Sequence, residues 1–114
     1  MVDMRVGVIG SRTFNDYNRL LKVLDRLNIT HIVSGRAEGA DVLGERYADE
    51  CGIPKTIHLP NWGKHGKAAG PIRNTDIVND SEMIVCCWDG KSKGTKDSMS
   101  KAHKLKKDIF ILYF

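Results

Sequence analysis

The stretch "IVSGRAEGAD", residues 32–41, joins the end of one element to the start of the next. Its first residues, Ile32 and Val33, are typical of a buried strand, and the "SG" that follows them is typical of a tight turn. From Asp41 onward, apolar residues recur at helical spacing. The small residues between strand and helix leave the backbone of the turn open to a close neighbour. The stretch therefore predicts a strand–turn–helix unit.

Units of this kind repeat along the whole chain, since apolar runs alternate with segments of helical periodicity. Continuous apolar runs are typical of parallel strands that are covered by helices on both faces. We therefore predict an α/β fold with three layers: a doubly wound sheet of about five parallel strands, order 3-2-1-4-5, in a single domain over residues 1–114. The predicted strands are "RVGVI" (5–9), "HIVS" (31–34), "KTIHL" (55–59), "MIVCCW" (83–88) and "IFILY" (109–113).

Four helices are predicted between these strands. Asn15 or Asp16 can cap the first helix, Gly52 ends the second, and Pro71 suits the first turn of the third. The predicted helices cover residues 15–27, 41–51, 71 to about 79 and 95–107, and the glycine-rich segment 60–70 is predicted to be a loop.

Composition and charge restrict the function classes. The chain has 114 residues, of which 41% are hydrophobic and 28% charged, which is typical of one globular domain. The formal net charge of +4 is modest. A protein that binds duplex DNA more often carries a longer basic run, whereas a small anionic ligand needs only a few cations.

The cysteines and histidines indicate neither a disulfide framework nor a metal site. Cys86 and Cys87 are adjacent within an apolar run and are predicted to be core residues, and Cys51 is isolated. The four histidines lack the spacing of metal ligands, so we predict no metal and no resident cofactor. No apolar run has the length of a membrane span and no leader pattern is present, so we predict a cytoplasmic protein without a membrane partner.

The turns that follow the strands are rich in glycine, hydroxyl groups and cations, whereas the opposite turns are not. Because the carboxyl ends of parallel strands meet at one edge of the sheet, these residues are predicted to form one surface, which we call the rim. The predicted ligand-binding residues of the rim are Gly10, Ser11, Arg12, Thr13, Ser34, Gly35, Ala37, Gly39, Asp41, Trp62, Gly70, Arg73, Asn74, Ser92, Gly94 and Thr95.

A rim of this chemistry favours a phosphate. Helix N-termini offer unpaired N–H groups and partial positive charge, and glycine lets an anion approach them. Arg12 and Arg73 are the predicted phosphate ligands, with a surface salt bridge as the alternative. Neither the G-x-G-x-x-G fingerprint nor the P-loop spacing is present, which disfavours an ordinary dinucleotide dehydrogenase or P-loop ATPase.

Three other rim residues have two interpretations each. Asp41 is predicted either to bind a ribose hydroxyl or to cap the second helix. Asn74 either binds ligand or fixes its turn. Trp62 either stacks on a base or packs on the third strand as part of a lid.

Four motifs resemble those of the SLOG superfamily, which contains DNA-processing protein A and the Lonely Guy (LOG) phosphoribohydrolases. They are "GSRTF" after the first strand, "VSGRAEGAD" after the second, and "GPIRN" and "SKGT" at the starts of the last two helices. The chain most resembles the small single-domain members of unknown function. The resemblance implies a Rossmann-like fold that binds nucleotides, nucleotide derivatives or nucleic acid at the rim. Members often self-associate, and the apolar terminal strand also makes a dimer plausible.

One departure from the LOG enzymes bears on catalysis. Those enzymes carry a PGGxGTxxE motif with a catalytic glutamate. Here Gly94-Thr95 matches its GT, but Ser98 stands at the glutamate position. Glu38 or Asp41 remains as a possible source of a carboxylate.

The sequence thus predicts a sensor or binding module for a small phosphorylated nucleoside, such as a nucleoside monophosphate or an ADP-ribose-like molecule. Two alternatives stay open. One is a nucleotide-cleaving enzyme of the phosphoribohydrolase type, and the other is binding of single-stranded nucleic acid.

Overall fold

The computed structural model describes residues 3–114, so the first two residues of the predicted domain lie outside it. Its centre is one sheet of five parallel strands in the order β3-β2-β1-β4-β5, which confirms the predicted fold class and strand order. The strands are β1 (Arg5–Gly10), β2 (His31–Ser34), β3 (Lys55–Ile57), β4 (Met83–Trp88) and β5 (Asp108–Tyr113).

Helices cover both faces of the sheet. The first two pack together over one face, and the last two pack together over the other. Among residues 3–114, no helix is long and apolar enough to cross a membrane. The helices are α1 (Tyr17–Leu24), α2 (Ala40–Cys51), α3 (Trp62–His65), α4 (Ala69–Asn79) and α5 (Lys93–Lys104), and a 3₁₀ turn, Gly66–Ala68, joins α3 to α4.

The hydrophobic core consists of two clusters, one on each side of the sheet, because successive strand residues face opposite sides. In β4, Cys87 faces the layer of α1 and α2, and Cys86 faces the layer of α4 and α5. Both cysteines are fully buried and free, which confirms that they are core residues. Burial raises the pKa of each thiol to about 12, so both remain protonated at neutral pH.

Helix boundaries differ from the prediction where local capping decides them. Asp16 caps α1 by accepting a hydrogen bond from the Arg19 amide at 3.2 Å, as predicted. The predicted loop 60–70 is partly helical, because the Asn61 side chain caps α3 by accepting from the Lys64 amide at 3.1 Å. The last helix ends at Lys104 rather than at residue 107, because Lys106 takes a positive φ of 57° and the chain turns into β5.

Strand β5 is less covered than its apolar sequence predicts. It is the last strand of the sheet, and only β4 pairs with it. Its side chains Phe110 and Tyr113 are 43% and 58% exposed, whereas Leu112 is buried. The apolar run therefore predicts the strand correctly, but this strand is not covered on both faces.

Helix α2 lies unusually close to β1. A Cβ atom at Gly44 would lie 2.6 Å from the Cβ of the buried Val8 and within 3.0 Å of both its methyl groups. A β-branched side chain in a packed core has little freedom to move away. The distance between α2 and the sheet therefore depends on the absence of a side chain at residue 44.

We predict that Gly44→Ala lowers the free energy of unfolding by about 2 kcal/mol, the usual cost of overpacking a core. Urea denaturation followed by circular dichroism measures it. Gly63→Ala on the exposed helix α3 is the matched control, since its Cβ would have no neighbour closer than 3.8 Å. Equal stability of the two glycine variants would contradict the prediction.

Candidate functional site

A cavity of about 190 Å³ opens at the carboxyl ends of the neighbouring strands β1 and β4. The helix that follows β1 and the helix that follows β4 lie on opposite faces of the sheet. Parallel sheets of this kind bind ligands at that point. Helices α2 and α5 begin at the cavity, and α4 closes one side of it. Its lining consists of Ile9, Gly10, Arg12, Ala37, Asp41, Arg73, Asn74, Ser92, Gly94, Thr95 and Ser98.

Nine of the sixteen predicted rim residues line this cavity, and seven do not. Thr13 is exposed outside it. Trp62 is 57% exposed on α3, with its ring edge 3.6 Å from where a Cβ of Gly70 would lie. The indole does not reach the cavity, so base stacking by Trp62 stays a prediction. Gly70 also lies off the cavity, and the remaining four are Ser11, Ser34, Gly35 and Gly39.

Asp41 is the buried carboxylate of the cavity, with 4% of its surface exposed. Its Oδ2 accepts a hydrogen bond from the Gly35 amide at 3.0 Å. Burial raises its pKa to about 6, although the Gly35 amide and the nearby Arg73 guanidinium partly oppose that shift. The N-cap of α2 is Gly39, at φ 86°, so the interpretation of Asp41 as the cap is wrong. Its carboxylate instead reaches back across the turn.

Arg73 is held at the cavity wall by two hydrogen bonds. Its Nη1 donates to the Gly35 carbonyl at 2.9 Å, and its Nε donates to the Asn74 side chain at 3.1 Å. Within the described part of the chain, neither Arg12 nor Arg73 forms an ion pair with a carboxylate. The predicted alternative of a surface salt bridge therefore does not occur there, and both positive charges are available to an anion.

Arg36 points away from the cavity although it lies in the glycine-rich turn. It takes a positive φ of 57°, and its Nε and Nη2 donate to Glu45 at 3.2 and 3.1 Å. The other oxygen of Glu45 accepts from the Ser34 hydroxyl at 3.1 Å. Arg36 thus pairs with a buried carboxylate on α2 and braces the turn that Asp41 holds from the other side.

Asn74 joins α4 to the start of α5. Its amide nitrogen donates to the Gly94 carbonyl and to Asp97, both at 3.3 Å. Ser92 caps α5, with its hydroxyl 3.5 Å from the Thr95 amide. Asn74 lies within α4 rather than in a turn, so its bonds tie α4 to α5; since it also lines the cavity, ligand binding by Asn74 stays a prediction.

Comparison with known proteins places the chain in a family. The sequence model of the family described as YAcAr (YspA, cpYpsA-related SLOG family) matches residues 4–65, which is more than half of the chain. The chain belongs to the YAcAr family of SLOG proteins. The predicted membership of the SLOG superfamily is confirmed.

Two individual proteins resemble this SLOG chain along most of its length. The Gene 61 protein of Mycobacterium phage D29 is 31% identical over 111 residues, which cover 88% of this chain and 89% of that protein. The X-ray structure of DNA processing protein A (DprA) from Streptococcus pneumoniae superposes with a TM-score of 0.79 at 22% identity. It covers 96% of this chain, whereas the chain spans only 50% of that structure, so this likeness shows the fold.

Most glycines of this SLOG rim allow close packing between segments of the protein itself. A Cβ at Gly10 would lie 2.4 Å from the Cys87 carbonyl, and one at Gly39 would lie 2.4 Å from the Ser11 carbonyl. A Cβ at Gly94 would meet nothing within 4 Å. The small residues were predicted to admit a ligand, but among these three only Gly94 leaves space for one.

Two lining residues were absent from the predicted set. Ile9 is the residue before Gly10 at the end of β1, and Ser98 lies one turn after Gly94, to whose carbonyl its hydroxyl donates at 3.3 Å. The spacing of Ser98 from Gly94 could have revealed it, since residues four apart share a helix face. Ile9 carried no signal beyond its place in an apolar strand.

The raised pKa of Asp41 predicts a pH-dependent stability. The folded state holds this proton more tightly than the unfolded state, so the contribution of Asp41 to stability falls as pH rises from about 4 to about 6 and is constant above that range. The shift from 3.8 to about 6 corresponds to about 3 kcal/mol. Asp41→Asn should remove this fall. Urea unfolding of the parent and of Asp41→Asn at a series of pH values measures the free energy of unfolding. If this free energy depends on pH in the same way in both proteins, the assignment to Asp41 is wrong.

Proposed function

We propose that this SLOG-family chain is a binding module or sensor for a small phosphorylated nucleoside, such as a nucleoside monophosphate or an ADP-ribose-like molecule. The observation that carries the proposal is the pair of arginines, Arg12 and Arg73, that line a cavity at two helix N-termini without a carboxylate partner in residues 3–114. Two unpaired cations at one cavity favour an anion of more than one charge.

The first turn of α5 is suited to bind the phosphate of the ligand. Gly94 has open space above it, and the hydroxyls of Ser92 and Thr95 line the same wall. The first turn of a helix also contributes partial positive charge and unpaired N–H groups. Because Arg73 is already anchored to the Gly35 carbonyl, it needs little further ordering to meet a phosphate oxygen.

Asp41 is suited to bind the ribose of the ligand. It lies among the lining residues, and its Oδ2 is already engaged by the Gly35 amide. A carboxylate can accept further hydrogen bonds, which the hydroxyls of a ribose can donate. The cavity of about 190 Å³ is smaller than the usual 300 to 1,000 Å³ of a ligand pocket, so we infer that it holds the sugar phosphate while the base lies in its open mouth.

We predict that a nucleoside monophosphate raises the melting temperature of the protein, whereas the matching nucleoside without phosphate raises it much less. A ligand at about 100 times its Kd should stabilise the fold by about 2.7 kcal/mol, or several degrees. Arg12→Ala and Arg73→Ala should each weaken binding by about tenfold or more, since a hydrogen bond to a charged group contributes roughly 1.5 to 3 kcal/mol.

Arg36→Ala is the matched control, because this arginine lies in the same turn and pairs with Glu45 outside the cavity. It should retain affinity while it melts at a lower temperature. Calorimetric titration of all three variants with the strongest ligand of a nucleotide panel separates the two effects. Unchanged affinity in Arg73→Ala would refute the assigned site.

A second function, cleavage of a nucleotide, is favoured by one observation. Asp41 is a buried carboxylate at the cavity with a pKa of about 6, and such a group can donate or accept a proton near neutral pH. Ser98 occupies a cavity position at which LOG-like enzymes carry glutamate, so Asp41 would have to supply the acid–base group.

If the protein cleaves nucleotides in this way, Asp41→Asn should abolish release of the free base even at nucleotide concentrations that saturate the variant. Ser98→Ala should release the base at the rate of the parent protein. Chromatography of a nucleotide panel after incubation measures both. Complete stability of every bound nucleotide would remove the enzymatic candidate and leave the binding module.

A further inference from the structure

The outer edge of β5 combines unpaired backbone groups with apolar side chains. No other strand of residues 3–114 pairs with that side of β5. The Phe114 amide donates inward to the Trp88 carbonyl at 3.3 Å, so the Tyr113 carbonyl, on the other side of the same peptide group, points outward. Because peptide groups alternate along a strand, the backbone groups of Ile111 and Ile109 also point outward. This edge is a template for a further strand.

A groove runs along this edge on the side of α1. Its volume is about 460 Å³, and its apolar floor includes Val23, Met83 and Phe110. The exposed face of Phe110 forms part of that floor. The groove lies on the flank of the sheet and shares no lining residue with the cavity described above.

Cations line this groove and a second one on the other face of β5. Arg19, Lys22 and Arg26 line the α1 side, and Lys96 and Lys104 line the α5 side. None of the five pairs with a carboxylate in the described residues. Arg19 instead donates to the outward Tyr113 carbonyl at 2.9 Å, which shows that this face of α1 reaches the strand edge.

This distribution of charge disfavours a second copy of the chain as the occupant. Antiparallel pairing of β5 with its copy requires a two-fold axis perpendicular to the sheet, and that axis places both copies of α1 on the same face. The cations of one α1 would then face the cations of the other. Repulsion of this kind selects against self-pairing and in favour of an acidic partner.

We propose that the edge of β5 binds an extended segment of a partner protein in which every second residue, on the face toward α1, is apolar or acidic in turn. The segment adds a sixth strand to the sheet through the outward groups of Ile109 and Ile111 and the outward amide of Tyr113, whose carbonyl already accepts from Arg19. Its apolar side chains pack on Phe110, and its carboxylates pair with Lys22 and Arg26. This inference does not rest on the proposed function, since the two surfaces share no residue.

The probe for the test is a fluorescein-labelled peptide of about eight residues, with leucine and glutamate in turn at every second position and threonine between them. Its partner probe has lysine in place of glutamate. Fluorescence anisotropy should show binding of the glutamate peptide alone, weakening with added salt. Lys22→Glu combined with Arg26→Glu should weaken it roughly five- to tenfold. Lys64→Glu with Lys67→Glu, an equal change of charge on exposed residues outside the groove, should leave it unchanged.

Backbone pairing has a separate readout. N-methylation of the peptide at alternate residues removes the donors on one of its edges, and one of the two possible sets should abolish binding. In ¹⁵N-resolved NMR spectra, the amides of Ile109 and Ile111 should shift on addition of the glutamate peptide. The double charge reversal should keep a cooperative melt, which separates loss of binding from loss of folding.

Four results would overturn the proposal. The first is equal binding of the lysine peptide, and the second is equal binding of both N-methylated peptides. The third is binding of a thymidine oligonucleotide that is lost on charge reversal at Lys22 and Arg26, which would make the edge a nucleic-acid site. The fourth is a concentration-dependent shift of the Ile109 and Ile111 amides without peptide, which would make the edge a dimer interface.

Discussion

The Gly35 amide donates to the buried carboxylate of Asp41, and the shape of the rim depends on this hydrogen bond. It closes the turn between β2 and α2, so that the Gly35 carbonyl faces Arg73 on a helix from the other side of the sheet. Without that bond, the buried Asp41 carboxylate would lack the hydrogen bond from the Gly35 amide. Burial of a charged group without hydrogen-bond donors destabilises the folded state. One side chain thus sets the path of the turn and the position of the arginine.

Charge is separated across this turn. Glu45 and Arg36 neutralise each other behind it, whereas Arg12 and Arg73 face the cavity without a carboxylate partner in the described chain. The buried Glu45 already acts on the charge of Asp41, and without Arg36 it would add negative charge near the cavity. Because Arg36 pairs with Glu45, the charges that act inside the cavity are those of Arg12, Arg73 and the Asp41 carboxylate, together with the helix N-termini.

The fold holds two surfaces of different character. The cavity lies where parallel strands end and helices begin, so every helix N-terminus there adds positive charge to a small volume. The β5 edge lies along the flank, where backbone groups and apolar side chains are exposed over the length of a strand. One suits a compact anion and the other an extended chain, and each can be occupied without blocking the other.

The linear sequence was enough to predict the five strands, the four longer helices, the strand order and the superfamily, but not the short helix α3. Apolar runs, helical periodicity and capping residues such as Asp16 and Gly52 act over a few neighbouring residues, so a linear pattern reports them. Three features became visible only in the folded chain: which rim residues share a cavity, which close contacts exclude a side chain at Gly10 and Gly39, and where Arg36 points. Those features, like the burial that raises the pKa of Asp41, come from contacts between distant segments, and no local pattern encodes a distance across the fold.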